Sequence, residues 1–163
     1  MTDIQQKIIS LLKEDARRGF EEVAVLLGLD KKAAAKEIAA LENAGVIAKY
    51  TALINENDIN SQKVEALIEV KVSPLKTKGF DAIADEIVKF NEVKSLSLMS
   101  GAYDLMVIAE GDSLRAVANF VSEKLSTLEG VLSTATHFVL KKYKTEGVVL
   151  QGNQKEKRLL VQP

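Results

Sequence analysis

The chain has 163 residues, of which 47% are hydrophobic and 28% charged, and its formal net charge is −1. This is the composition of an ordinary globular protein with one medium domain or two small ones. It contains no cysteine, which excludes a disulfide scaffold, a thiolate zinc site and a cysteine nucleophile.

Three short helices are predicted within the first 45 residues. The first follows a cap at Thr2 or Asp3, and the second, FEEVAVLLG, ends at Gly28. The third begins at the N-cap Asp30 and ends at Gly45. Because only a tight turn separates the last two helices, the pattern is typical of a helix-turn-helix. Apolar residues at helical spacing support the first helix: Ile4, Ile8, Leu11 and Leu12.

Two short segments follow the helices. Residues 46–54, VIAKYTALI, alternate well enough to predict a linking strand. Residues 55–62, NENDINSQ, are polar and rich in turn formers, which indicates a hinge. We therefore predict a helix-turn-helix domain with its linking strand over 1–54, a second domain over 63–144 and a C-terminal tail over 145–163.

The second domain is predicted as an α+β fold in the order β-α-β-β-α-β. The strands are VEALIEVKV, EVKSLSLM, DLMVIAEG and VLSTATHFVLKKY, and the helices are GFDAIADEIVKF and a longer one that begins at an Asp112 cap. This order is ferredoxin-like, and right-handed crossovers place both helices on one face of the sheet. The other face needs a cover, so we expect a homodimer.

Three stretches carry a resemblance to a known family. Taken in order, LENAGVIAKYTALIN, MSGAYDLMV and EGVLSTATHFVLKKYK resemble segments of the leucine-responsive regulatory protein/AsnC (Lrp/AsnC, feast/famine) family of transcription regulators. The resemblance covers residues 4–147. It implies a helix-turn-helix that binds double-stranded DNA and a C-terminal RAM, or ACT-like, domain. That domain would dimerise, assemble into tetramers or octamers, and sense a small effector, an amino acid, without a cofactor.

Basic side chains around the third helix are the candidates for contact with DNA. Residues 1–60 carry eight Lys or Arg against ten Asp or Glu, so any such contact must come from a local cluster. The resemblance implies Arg where this chain has Lys36 and Glu37, and basic residues near Ala39 and Ala40. Glu37 would repel a phosphate unless it faces away or accepts from a cytosine. The predicted DNA-binding residues are Arg17, Arg18, Lys31, Lys32, Lys36 and Lys49.

The turn SGAYDLMV is the candidate effector site. Gly101 is expected to take a positive φ and to bring backbone amides close to a ligand, while Ser100 and Tyr103 offer hydroxyls. This set suits an α-amino acid, with amides for its carboxylate and Asp104 for its ammonium. A hairpin with a capping Asp and an edge Tyr explains the residues equally well. The resemblance places the turn between neighbouring dimers, with further lining residues on the last strand: Ser133, Thr134 and Thr136.

No catalytic or metal site is predicted. His137 is the single histidine, and paired carboxylates such as Asp85 and Glu86 are adjacent on a helix and do not face each other. One alternative is a DNA-independent metabolite sensor with a degenerate helix-turn-helix. Another is an enzyme on the same scaffold, since some haem-pathway decarboxylases resemble this family. The tail GNQKEKRLLVQP is expected to be solvated. The lack of a signal segment or long apolar run indicates a cytoplasmic protein without a membrane partner.

Overall fold

The computed structural model describes residues 1–56, 63–73 and 79–150. The chain divides into two compact units, Met1–Ile54 and Asn55–Pro163. Most of the predicted hinge, and the predicted tail beyond residue 150, lie outside the described residues. Within the described residues, no helix is both long and apolar enough to cross a membrane.

The first unit contains the three predicted helices: α1 (Asp3–Glu14), α2 (Phe20–Leu27) and α3 (Lys31–Asn43). Thr2 caps α1 in a capping box with Gln5, and Asp30 caps α3 by accepting from the Lys32 backbone amide at 2.9 Å. Gly28 ends α2 at a φ of 64°, which glycine adopts without strain. The three helices bury one small apolar core: Ile8, Leu12, Val23 and Leu41.

The linking strand predicted over 46–54 is wrong for the single chain. No strand is assigned there, and among the described residues this segment pairs with no other strand. A strand is held by hydrogen bonds to a neighbour, so alternation alone does not form one. The apolar side chains that suggested it are exposed: Val46, Tyr50, Leu53 and Ile54.

The second unit confirms the predicted ferredoxin-like α+β arrangement. Its elements are β1 (Val64–Val72), α4 (Asp81–Ile87), β2 (Val93–Leu98), β3 (Leu105–Gly111), α5 (Leu114–Glu123) and β4 (Val131–Phe138). The four strands pair antiparallel in the order β2-β3-β1-β4, so β2 and β4 are the edges.

One face of this sheet packs on the helices. Alternate residues of β1 and β3 are buried and join one core with apolar side chains of α4 and α5: Ala66, Ile68, Val70, Leu105, Val107, Ala109, Ile83, Ile87, Val117 and Phe120. The intervening residues point to the other face, where Leu67, Met106 and Ile108 are only half-buried. This second face is called the open face below.

Several boundaries differ from the predicted ones: α4 and α5 are both shorter, and α5 ends at Glu123. The α5 cap is Ser113, whose hydroxyl accepts from the Ala116 backbone amide at 3.1 Å, rather than Asp112. The last strand ends at Phe138. The predicted tail begins with a hairpin, β5 (Lys144–Thr145) and β6 (Val148–Val149). Its two turn residues have φ of 48° and 82°, and Gly in the second position favours that tight turn.

Candidate nucleic-acid interface and ligand site

One face of α3 is exposed and basic. Successive helical residues advance by about 100°, so Ala34 and Leu41, which point into the core, leave Lys32 and Lys36 on the opposite side. Both lysines are exposed, as are Lys31 and Lys49. In the part of the chain that the structure describes, none of these four lysines forms an ion pair. Four ammonium groups are therefore available for phosphates.

Glu37 faces away from this basic face. Its Oε2 atom accepts a hydrogen bond of 2.9 Å from the Gln5 side-chain amide on α1. The contact fixes the carboxylate against α1, on the other side of α3 from Lys32. Of the two possibilities left by the sequence, the structure selects the carboxylate that faces away, so repulsion of a phosphate is avoided.

Arg18 joins the helices rather than facing solvent. Its Nη1 atom donates to the Leu11 carbonyl at 3.0 Å and to Glu14 at 2.7 Å, and its Nε atom lies 3.3 Å from Glu22. The side chain is only 18% exposed. These contacts tie the end of α1 to the start of α2, so the guanidinium is held by the protein.

Of the two arginines predicted to bind DNA, Arg17 is the one whose guanidinium is accessible to solvent. Its side chain is 90% exposed and pairs with Asp15 at 2.8 Å. Hydrogen bonds from Arg17 hold the pKa of the Asp15 carboxyl well below its usual range. Because both partners are near solvent, the pair is weak and an incoming phosphate can compete for the guanidinium.

A hollow of about 370 Å³ lies beside the basic face. Gly19 and Phe20, at the start of α2, form one wall, and Ala35 and Ala39 of α3 form another. Tyr50 also lines the hollow, and its hydroxyl donates a hydrogen bond of 2.9 Å to Glu42. Partial removal of the phenol from water, followed by the hydrogen bond to the Glu42 carboxylate, raises the pKa of Tyr50. Sequence reasoning missed the hollow, although two alanines four residues apart near an aromatic residue could have signalled it.

The β2–β3 turn is built around Asp104. Its backbone amide donates to the Val70 carbonyl at 3.1 Å, and its Oδ2 atom accepts from the Val72 amide at 2.9 Å. One carboxylate oxygen therefore holds the end of β1 in place, so Asp104 has a structural contact within its own sheet. Ser100 is exposed and Tyr103 half-buried, with the Tyr103 hydroxyl 3.9 Å from the Met106 sulfur.

The positive φ expected at Gly101 is wrong. The glycines with positive φ lie elsewhere among the described residues, and a Cβ on Gly101 would meet nothing within 4 Å. The exposed turn neither crowds this residue nor forces it into the left-handed region. Gly101 is thus compatible with a close ligand, but the backbone does not require glycine there.

The candidate residues of β4 do not converge in one chain. Ser133 pairs with Lys71 on the open face, whereas Thr134 and Thr136 pair with buried residues on the helix face. The Thr134 hydroxyl lies 3.3 Å from that of Ser126. Because β1 separates β4 from β3, about 9–10 Å lie between the two strands.

The described residues form no metal site, and the single histidine belongs to no catalytic pair. No group of three or more His, Asp or Glu side chains there could hold a metal ion. The His137 Nε2 atom lies 3.4 Å from Glu69 Oε1 on the open face, where both side chains are partly exposed. This pair is a surface contact rather than a catalytic dyad.

Two family models match the chain. Residues 1–42 match the AsnC-type helix-turn-helix domain, and residues 65–149 match the Lrp/AsnC ligand binding domain. An uncharacterised HTH-type transcriptional regulator of Bacillus subtilis, YugG, is 42% identical over 164 residues, covering 100% of this chain and 99% of its own. The HTH-type transcriptional regulator FL11 of Pyrococcus furiosus is 30% identical over 144 residues, covering 88% and 92%.

Solved structures agree with this match. A transcriptional regulator of Neisseria meningitidis in complex with L-Met superposes with a TM-score of 0.69 at 27% identity, covering 89% of this chain and 93% of its own. The leucine response regulatory protein LrpA of Mycobacterium tuberculosis superposes with a TM-score of 0.76 at 22% identity, covering 93% of this chain and 100% of its own. This likeness shows the shared fold. The chain belongs to the Lrp/AsnC family of DNA-binding transcription regulators, which carry a ligand-binding domain and are not enzymes.

Proposed function

We propose that this regulator holds DNA through the lysines on and around α3, assembles through its second unit and responds to an amino acid. The observation that carries the proposal is the exposed basic face of α3 beside the hollow. The proposed phosphate contacts are Arg17, Lys31, Lys32, Lys36 and Lys49, while Arg18 positions the helices. Because double-stranded DNA is the proposed partner, we place the protein in the cytoplasm.

Lysine suits phosphate contact better than base readout. Its ammonium is a compact point charge on a flexible stem, without the planar fork with which arginine grips guanine. A single unit should therefore bind weakly, and two or more linked units would raise the effective affinity. This requirement makes assembly of the protein part of its function.

The open face is the surface that we propose for dimerisation. Leu67, Met106 and Ile108 lie there half-buried, and the helices of this unit, α4 and α5, pack on the opposite face of the sheet. Apolar side chains on a sheet face are stabilised when a second layer removes them from water. A second copy of the same face supplies that layer, and further contacts between dimers would give tetramers or octamers.

An amino acid is the proposed effector at the β2–β3 turn. The similar Neisseria meningitidis regulator was solved with L-Met. Ser100 and Tyr103 offer hydroxyls at the surface of the turn, and Asp104 can still offer its second oxygen. Because Ser133, Thr134 and Thr136 do not reach this turn within one chain, we propose that neighbouring copies complete the pocket.

Titration of the DNA complex with each of the twenty amino acids tests this proposal. At least one should shift the DNA affinity, and DNA must shift the affinity for that amino acid by the same factor. Ser100→Ala and Tyr103→Phe should raise the amino-acid concentration needed by about threefold to tenfold, because each removes one hydrogen bond. Ser122→Ala, a hydroxyl loss on α5, is the matched control. An unchanged DNA affinity with every amino acid would contradict the proposed effector class.

A further inference from the structure

The basic face of α3 carries ammonium donors, and the two carboxylates of this helix each accept a hydrogen bond from another side chain of the protein. Glu37 accepts from Gln5 at 2.9 Å, and Glu42 accepts from Tyr50 at 2.9 Å. Reading cytosine in the major groove requires an acceptor for its amino group. Lys32 and Lys36 are therefore the donors of this face, whereas both carboxylates of α3 already accept a hydrogen bond within the protein.

Ala35 and Ala39 lie next to the two lysines on α3, on the side of the hollow. At about 100° per residue they fall on the same side of α3 as Lys32 and Lys36. Both alanines are half-buried because they line the hollow. Phe20, 42% exposed, forms the opposite wall. A recess with mainly apolar walls thus lies beside Lys32 and Lys36, and Arg18 and the Tyr50-bonded Glu42 complete its lining.

Thymine is the base that such a recess can distinguish. In the major groove it carries a 5-methyl group, which the other bases lack, and alanine is a common apolar partner for it. Alanine is also short, so the helix can approach the groove until methyl groups touch within about 4.5 Å. A longer side chain at either position would fill the recess.

We infer that Ala35 and Ala39 are specificity-determining residues that contact thymine 5-methyl groups in the major groove, while Lys32 and Lys36 hold the neighbouring phosphates. The inference rests on the assignment of α3 as the DNA-reading helix. It makes the alanine-rich stretch a reader of methyl groups rather than a degenerate recognition helix.

Removal of the methyl groups from the DNA tests this directly. The full-length chain selects a duplex from a random library, and fluorescence anisotropy compares that duplex with copies in which deoxyuridine replaces thymidine one position at a time. Deoxyuridine keeps the pairing and the O4 acceptor but lacks the methyl. Affinity should fall about fourfold at each thymine in contact and stay unchanged at the others.

Variants connect that effect to the two alanines. In Ala35→Gly and in Ala39→Gly, replacing thymidine by deoxyuridine should no longer weaken DNA binding at one thymine each. Circular dichroism should show that both variants are folded. Ala33→Gly, an exposed alanine on another side of α3, should keep the full loss. Salt-sensitive binding that ignores deoxyuridine, or a loss that persists in both variants, would overturn the inference and leave DNA binding intact. If no duplex is bound at low salt, both this inference and the DNA-binding role fail.

Discussion

Gly130 is held in a backbone conformation that other residues avoid. Its φ is +90°, and an added Cβ would lie 2.7 Å from Ile83 Cδ1 and 3.3 Å from the Ser73 carbonyl oxygen. We expect Gly130→Ala to lower the free energy of unfolding by about 1–3 kcal/mol, because it adds both backbone strain and a clash.

Urea denaturation of the full chain measures this loss. Gly101→Ala is the matched control, since its Cβ would meet nothing within 4 Å and its φ is not positive. The control should change the free energy of unfolding by less than about 0.5 kcal/mol. Equal effects of the two substitutions would show that the backbone at Gly130 does not require glycine.

Arg17 and Arg18 are adjacent in sequence and differ in role. Arg18→Met should lower the midpoint temperature of unfolding, because it removes the hydrogen bonds from the guanidinium to Leu11 and Glu14. Arg17→Met should leave stability nearly unchanged and weaken DNA binding. Thermal denaturation and fluorescence anisotropy of both variants check the two effects, and a reversed pattern would refute the assignment.

Short-range contacts of single residues could be predicted from the sequence, and long-range ones could not. The caps at Thr2 and Asp30 follow from local hydrogen bonds to the next turn. The bond between Gln5 and Glu37 joins residues 32 apart, so it depends on how α1 and α3 pack. Arg18 is different: its partners are only four to seven residues away, but they lie on two helices whose packing decides whether the guanidinium reaches them.

At the scale of elements, an ion-pair cluster at the end of β3 makes stability depend on pH. Lys63 and Lys94 lie 2.6 Å and 3.5 Å from Glu110, and the hydrogen bond from Lys63 is the main cause of a lowered pKa for that carboxyl. With a folded-state pKa below the ordinary 4.5, its stabilisation is complete above that value. It is lost as the pH falls through 4.5 toward the folded-state pKa.

The substitution Glu110→Gln tests this pH dependence. The difference in free energy of unfolding between the original protein and the variant should be largest near neutral pH and should shrink below the ordinary pKa. Chemical denaturation from neutral to acid pH measures it. Glu129→Gln, exposed and outside any ion pair among the described residues, is the control. A difference that stays constant with pH would show that the cluster contributes nothing.

Long elements that pack within one chain could be predicted from the sequence, whereas a segment without a partner strand and a very short hairpin could not. The alternation in β1 and the helical spacing in α4 predicted a sheet with helices on one face, because burial sets both periods. Residues 46–54 alternate equally well but have no strand partner in the described chain. The hairpin near Gly147 was missed because its strands are only two residues long.

At the scale of the whole molecule, the sequence offered candidate residues for the effector site but not their positions relative to one another in the folded chain. The turn at Ser100 and the β4 residues Ser133 and Thr134 were predicted as one site, yet β1 lies between them in a single chain. The chemistry of side chains can be read from the sequence, but their convergence requires the arrangement of copies. The proposed pocket between copies, which the resemblance already implied, agrees with this separation.

The central claim is that the lysine face of α3 holds DNA. Each lysine that neutralises a phosphate releases condensed counterions, so the logarithm of affinity falls linearly with the logarithm of salt concentration. Lys32→Ala and Lys36→Ala should each weaken binding and reduce the magnitude of that slope by about one. Lys89→Ala, a substitution just after the end of α4 in the other unit, should change neither affinity nor slope.

Fluorescence anisotropy of the selected duplex, measured from low to physiological salt for these four proteins, is the single most direct test. Our account predicts a steep slope for the unmodified chain and the Lys89 variant, and shallower slopes for the two α3 variants. Identical slopes for all four, or no binding at low salt, would contradict it, and α3 would then be a packing helix.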